Sequence, residues 1–127
     1  MKDGLAAGLI HQRDFTVTAE MGVKHFGAGV PQVLSTPSMI GLMERTCVEI
    51  LTPYMDEREQ SVGFHVDVKH LAPTRIGQSI MITATLLEVK EKKFRFAVEA
   101  VNDRGVKIGE GTHRRALINL TEFTQSG

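Results

Sequence analysis

One stretch of helical period, followed only by segments of period two, restricts this chain more than any other feature. Ser35-Thr36-Pro37 reads as a helix start, with a hydroxyl able to cap free backbone amides and a proline preset for the first turn. At about 100° per residue, Met39, Ile40, Met43, Cys47, Ile50, Leu51 and Tyr54 share one broad apolar arc, with Arg45 and Glu49 opposite. Thr52-Pro53 stops the helix after Leu51. Residues 61–71, 80–89, 94–101 and 106–120 then alternate as strands do, and residues 14–20, with Phe15, Val17 and Ala19, make a short opening strand. Glu91-Lys92-Lys93 and Asn102-Asp103-Arg104-Gly105 are links of hairpin length, so the last three strands are antiparallel neighbours. The pattern predicts one α+β domain over residues 1–127: an antiparallel sheet of about five strands wrapped around one long helix.

A chain of 127 residues holds one sizeable core. Fifteen basic residues balance fifteen acidic ones, so no overall field draws it to nucleic acid or an anionic membrane, and a small molecule or a protein is the expected partner. Cys47 is the only cysteine, which excludes an internal disulfide framework and fits a reducing compartment. The first apolar residues are soon interrupted by His11, Arg13 and Asp14, too early for a secretory core, and no segment reaches the length of a membrane span. A soluble cytoplasmic protein is expected. A single helix covers one face of such a sheet for only part of its width, so a homodimer is expected to bury the remainder.

His70 is the most informative single residue. Strand periodicity places it on the same face as Val62, Phe64, Val66 and Val68, with His65 and Lys69 turned the other way. Alone, it is explained as a core histidine satisfied by hydrogen bonds. Its companions change that reading: Thr36 followed by Met39-Ile40-Gly41-Leu42-Met43-Glu44, then Ser61-Val62-Gly63, then the turn from His70 to Gly77, then Gly109-Glu110-Gly111-Thr112-His113-Arg114-Arg115. In this order and spacing, over nearly the whole chain, these motifs resemble the hotdog-fold acyl-CoA thioesterases, and within them the fluoroacetyl-CoA thioesterase group. The resemblance implies a hotdog domain whose catalytic residues are Thr36, Glu44 and His70, with Gly63 near the substrate carbonyl and Arg115 also contacting substrate. It further implies a homodimer with the active site at the subunit interface, and coenzyme A entering as part of the substrate with no separate cofactor.

The residues carry their own chemistry beside this. Thr36 reads most simply as the helix N-cap, a place that also favours a developing oxyanion. Glu44 lies at the rim of the apolar arc, where a carboxylate either stays solvated or needs a donor. Thr36, His70 and Glu44 fit a nucleophile, base and third-group arrangement. Two routes stay open: Thr36 attacks with His70 as base, or Glu44 activates water or attacks directly while Thr36 positions it. Eight residues of continuous helix separate Thr36 and Glu44 by about 12 Å, so either Thr36 folds back from a loop or the site combines two subunits. Cys47 reads as a core thiol. His65 and His70 face opposite sides of one strand and no Cys/His cluster exists, so no metal site is expected. Gly27-Ala28-Gly29 lacks a phosphate-loop lysine and reads as a turn or lid. Gly109 and Gly111 imply a close approach, by helix or by pantetheine. Lys90, Lys92, Lys93, Arg95, Arg114 and Arg115 read as a mostly solvated face, some of which could hold phosphates.

Two other functions fit the fold: a non-catalytic acyl-CoA-binding module and an acyl-CoA hydratase or dehydratase. The trio favours hydrolysis, and no His and Asp pairing of the dehydratase kind occurs on the helix. In the fluoroacetyl-specific enzyme, phenylalanines ahead of the catalytic threonine form a lid. Here residues 25–34 contain only Phe26, so a short or medium acyl-CoA substrate without strong preference for fluoroacetyl over acetyl is expected.

Overall fold

A computed structural model describes residues 1–126. The elements in chain order are β1 (Ile10–Thr16), α1 (Thr36–Leu51), β2 (Glu59–His70), β3 (Ser79–Lys90), β4 (Lys93–Asn102), β5 (Lys107–Asn119) and α2 (Leu120–Ser126), with short 3₁₀ turns at Ala19–Met21 and Thr52–Tyr54. The five strands form one antiparallel sheet in the order β1-β3-β4-β5-β2. The α1 helix lies on its inner face. Met39, Leu42, Met43, Thr46, Cys47, Ile50 and Leu51 are the buried side of α1, at the three- and four-residue spacing of an apolar stripe. They meet Ile80, Ile82, Ala84 and Leu86 of β3, Phe94, Phe96, Val98 and Ala100 of β4, and Ile108 of β5. Burying side chains of this size is worth about 1.5–3 kcal/mol each, so this contact is the main source of stability.

Four departures from the sequence reading have local causes. The first strand runs from Ile10 to Thr16, because His11 and Arg13 occupy inward positions beside Phe15. Their partner is Glu49 of α1, which accepts from Arg13 Nη1 and lies 3.0 Å from His11 Nε2; Glu49 therefore faces β1 rather than open solvent. Ala19 lies in a 3₁₀ turn and is exposed. In β2, a bulge between Gly63 and His65 reverses the phase of the strand. Val66, Val68 and His70 stay on the helix side, opposite His113, Gly111 and Gly109, whereas Val62 pairs with Ala116 and Phe64 lies under the Lys93 ammonium on the outer side. The expected single face from Val62 to Val68 is thus split, and Val62, Phe64 and Val66 are 41, 50 and 42 % exposed. Finally, the last strand ends at Asn119, whose side chain accepts from the amides of Thr121 and Glu122 and starts α2.

Candidate active site

The residues singled out from the sequence fall into two clusters along α1. At its N-terminal end, Ser35 is the cap, its Oγ accepting from the Ser38 amide at 3.2 Å. This corrects the placement of Thr36, which is the first helical residue and has its hydroxyl free for another partner. Thr36 Oγ1 lies 2.8 Å from His70 Nδ1, across from the last residue of β2. Burial holds the His70 imidazole below the ordinary histidine range, which keeps it neutral and able to accept a proton. Its Nε2 is buried and has no hydrogen-bond partner among the described residues. A cleft of about 330 Å³ opens beside the pair, lined by Val33, Leu34, Leu71 and Ala72 among others. A second, of about 570 Å³, reaches Thr36 from the side of Val23, Lys24 and His25. With Pro37 lacking an N–H and the Ser38 amide taken by the cap, an oxyanion at this helix end falls to the Thr36 amide.

The second cluster lies two turns further along α1. Glu44 Oε2 accepts from Arg115 Nη1 at 3.2 Å and lies 3.4 Å from His113 Nε2. Arg115 is buried, and its other donors reach Ser61 Oγ and Ser61 O, both at 2.8 Å. Burial pushes the Arg115 guanidinium down, with Glu44 acting in the opposite direction. Arg115 is thus set apart from the exposed Lys90, Lys92, Lys93 and Arg114 of the expected solvated face, and from the half-buried Arg95. Gly63 is required here by contact: a Cβ on it would stand 2.5 Å from Glu44 Oε2 and 2.8 Å from His113 Cε1. His113, in the Thr-His-x-Arg run but given no role from sequence, is the missed member. The signal was present, since His113 and Arg115 are two apart on one strand and must share a face.

Other expectations resolve structurally. Thr36 and Glu44 both belong to one continuous helix, so Thr36 does not fold back from a loop. A Cβ on Gly109 would stand 2.5 Å from Met39 Sδ, and one on Gly111 would strike the β2 backbone, so helix and strand account for both glycines. Cys47 is fully buried and its thiol is pushed up to about 12, which makes it a core residue. Among the described residues no three His, Cys, Asp or Glu side chains converge as metal ligands, and no helix is long and apolar enough to cross a membrane. The Gly27-Ala28-Gly29 segment forms a turn with Gly29 at φ +81°, and Phe26 is exposed beside His25.

A hydroxyl hydrogen-bonded to a neutral imidazole, with an arginine-held carboxylate on the same helix, is the equipment for acyl transfer. Residues 17–121 match the family described as fluoroacetyl-CoA-specific thioesterase. The chain belongs to this family. It is 37 % identical over 129 residues to the fluoroacetyl-CoA thioesterase of Streptantibioticus cattleyicolor, covering 97 % of this chain and 92 % of that one. The solved structure of the fluoroacetyl-CoA thioesterase FlK superposes with a TM-score of 0.89 at 34 % identity, over 98 % of this chain and 96 % of the other. A Thermus thermophilus member of the thioesterase superfamily gives 0.87 at 25 % identity, over 98 % and 91 %. The fluoroacetyl-CoA-specific thioesterase family and these hotdog structures agree with the five-stranded sheet and single long helix found here.

Proposed function

We propose that this family member hydrolyses the thioester of a short or medium acyl-CoA to the free acid and coenzyme A, working in the cytoplasm as a homodimer whose active site is shared between subunits. The observation that carries the reading is the 2.8 Å contact of Thr36 Oγ1 with His70 Nδ1. In the proposed course, the Thr36 hydroxyl attacks the thioester carbonyl carbon and passes its proton to His70 Nδ1. The tetrahedral intermediate then expels the coenzyme A sulfur, which takes that proton, and leaves Thr36 acylated. Water then attacks the new ester as Glu44 takes one of its protons, the ester bond to Thr36 Oγ1 breaks, and that proton returns to the departing oxygen, releasing the acid and restoring the hydroxyl and the carboxylate. Beside Glu44, Gly63 is proposed to lie near the substrate carbonyl and Arg115 to bind substrate.

A shared site is supported by two features. Thr36 and Glu44 are about 12 Å apart along one rigid helix, so one substrate carbonyl does not meet both from a single chain. The outer edge of β2 has no strand partner among the described residues, yet exposes Val62, Phe64 and Val66 and carries His70 with its buried, unpartnered Nε2. A second copy laid along this edge would extend the sheet and cover those side chains. Sedimentation equilibrium is expected to give a dimer; monomer alone at micromolar concentration would sink the shared site.

The lid argument sets the acyl preference. Phe26 stands exposed and is not among the residues lining either cleft at Thr36, so among the described residues no phenylalanine lines the space left for the acyl group. Colorimetric release of free thiol should be comparable for fluoroacetyl-CoA and acetyl-CoA, extend to butyryl-CoA, and fall by about 10² or more with His70→Ala. A fluoroacetyl preference above about 10⁴ in kcat/KM, more than an apolar contact supplies, would overturn the open-lid reading. Tight binding of acetyl-CoA with no thiol release would overturn the hydrolase reading itself.

A further inference from the structure

His113 is 2 % exposed and stacks on Phe96 at 6.5 Å between ring centroids. Its two nitrogens have different neighbours, and those neighbours fix its tautomer. Nδ1 lies 2.8 Å from the backbone carbonyl of His65 at the β2 bulge. A carbonyl only accepts, so Nδ1 carries the hydrogen. Burial holds the ring below the ordinary histidine range, so near neutral pH Nε2 is bare. A bare Nε2 accepts from Arg115 Nη1 at 3.1 Å and cannot donate to Glu44.

The 3.4 Å approach of Nε2 to Glu44 Oε2 therefore sets two acceptors face to face. Arg115 Nη1 resolves this, because it carries two hydrogens and stands 3.1 Å from one acceptor and 3.2 Å from the other. We infer that His113 is a positioning residue: by taking one Nη1 hydrogen of Arg115 it directs the other to Glu44 Oε2, and so fixes the carboxylate with Oε1 left for substrate or water. Ser61 alone, gripping Nε and Nη2, leaves the guanidinium without a stop at its Nη1 end. The imidazole is that stop. The kinetic part of this inference rests on the proposed role of Glu44; the hydrogen-bond assignment does not.

The test uses two variants that keep different halves of the ring. His113→Gln places an amide oxygen near the Nε2 position and still accepts from Arg115, whereas His113→Asn keeps a donor for the His65 carbonyl and loses the acceptor. With acetyl-CoA, His113→Gln should retain kcat within about threefold, and His113→Asn should lower it about tenfold at nearly constant KM, the worth of one hydrogen bond to a charged group. In a Glu44→Gln background, His113→Asn should cost nothing further, because the path from His113 to the reaction runs through that carboxylate. Imidazole ¹⁵N spectra of the wild-type protein should report a protonated Nδ1 and a bare Nε2 for His113. Equal loss in the two variants, an additive effect with Glu44→Gln, or a protonated Nε2 would each overturn the inference. If the wild-type protein releases no thiol, the proposed function fails, and the ¹⁵N spectrum still decides the assignment.

Discussion

The two clusters on α1 are built in opposite ways. Around Glu44 nearly every polar atom is spoken for: Arg115 reaches Ser61, Glu44 and His113, and His113 reaches the β2 backbone. Among the described residues the Thr36 hydroxyl has one hydrogen bond, to His70, and the far nitrogen of that histidine has no partner. The dense cluster resists change of geometry; the sparse one leaves the proposed nucleophile and base, Thr36 and His70, with capacity to spare. A side chain that must exchange a proton is served by few competing partners, and a side chain that must hold still is served by many.

The largest effect that sharpens this contrast is expected at the sparse end. His70→Ala should lower kcat by about 10² or more, the usual cost of a positioned general base, with little change in thermal unfolding. In the wild type, kcat/KM should rise with pH through the pKa of His70 and reach its plateau below the pH expected of an ordinary histidine near 6.5, because burial favours the neutral base. An acid limb at or above 6.5 would remove His70 as the base. At the dense end the expectation is reversed. Arg115→Met strands Glu44, His113 and Ser61 at once and should cost about 2–3 kcal/mol of stability by chemical denaturation, the half-exposed carboxylate being partly rescued by solvent. A loss below about 0.5 kcal/mol would mean that the cluster is not rigid. Gly63→Ala should cost about 1–3 kcal/mol and depress turnover, since its Cβ has no room beside Glu44 and His113. Normal stability and activity there would show that the carboxylate has freedom to move away. The smallest contrast lies between neighbours: Ser35→Ala should cost about 1 kcal/mol as a lost cap, and Thr36→Ala markedly less while abolishing acyl transfer. Equal destabilisation of the pair would restore the capping role to Thr36.

Much of this arrangement was legible in the sequence where periodicity speaks. The apolar arc from Met39 to Leu51, the bounds of α1 and the two hairpins follow from spacing alone, because the forces behind them repeat every turn or every second residue. What failed was single-residue phase. One extra residue at Phe64 turns Val62 outward and Ser61 and Gly63 inward, and no alternation pattern announces such an insertion. The cap moved by one residue because Ser35 and Thr36 both carry a hydroxyl, and only the backbone selects between them. The opening strand was read four residues late because its inward places hold His11 and Arg13, whose partner Glu49 lies on a distant element. At the site, the residue types at Thr36, Glu44 and His70 were readable from the resemblance; that Arg115 and His113 close around Glu44 depends on two strands, β2 and β5, and a helix meeting.

The order of strands bears on how the chain acquires its activity. β2 is made before β3, yet it lies beyond β5, so it must wait for β5 before it has a strand to pair with. The β3-β4-β5 meander forms from neighbouring hairpins, while β2, with Ser61, Gly63 and His70, finds its only strand partner among the described residues through a pairing that reaches from Glu59 to Asn119. A nascent chain stalled before β5 would hold α1 and Thr36 but would lack both the strand that fixes His70 opposite it and the Arg115 that binds Glu44. Assembly of the proposed site is therefore tied to the formation of β5, and a chain lacking that strand leaves the apolar side chains of β2 without a strand beside them.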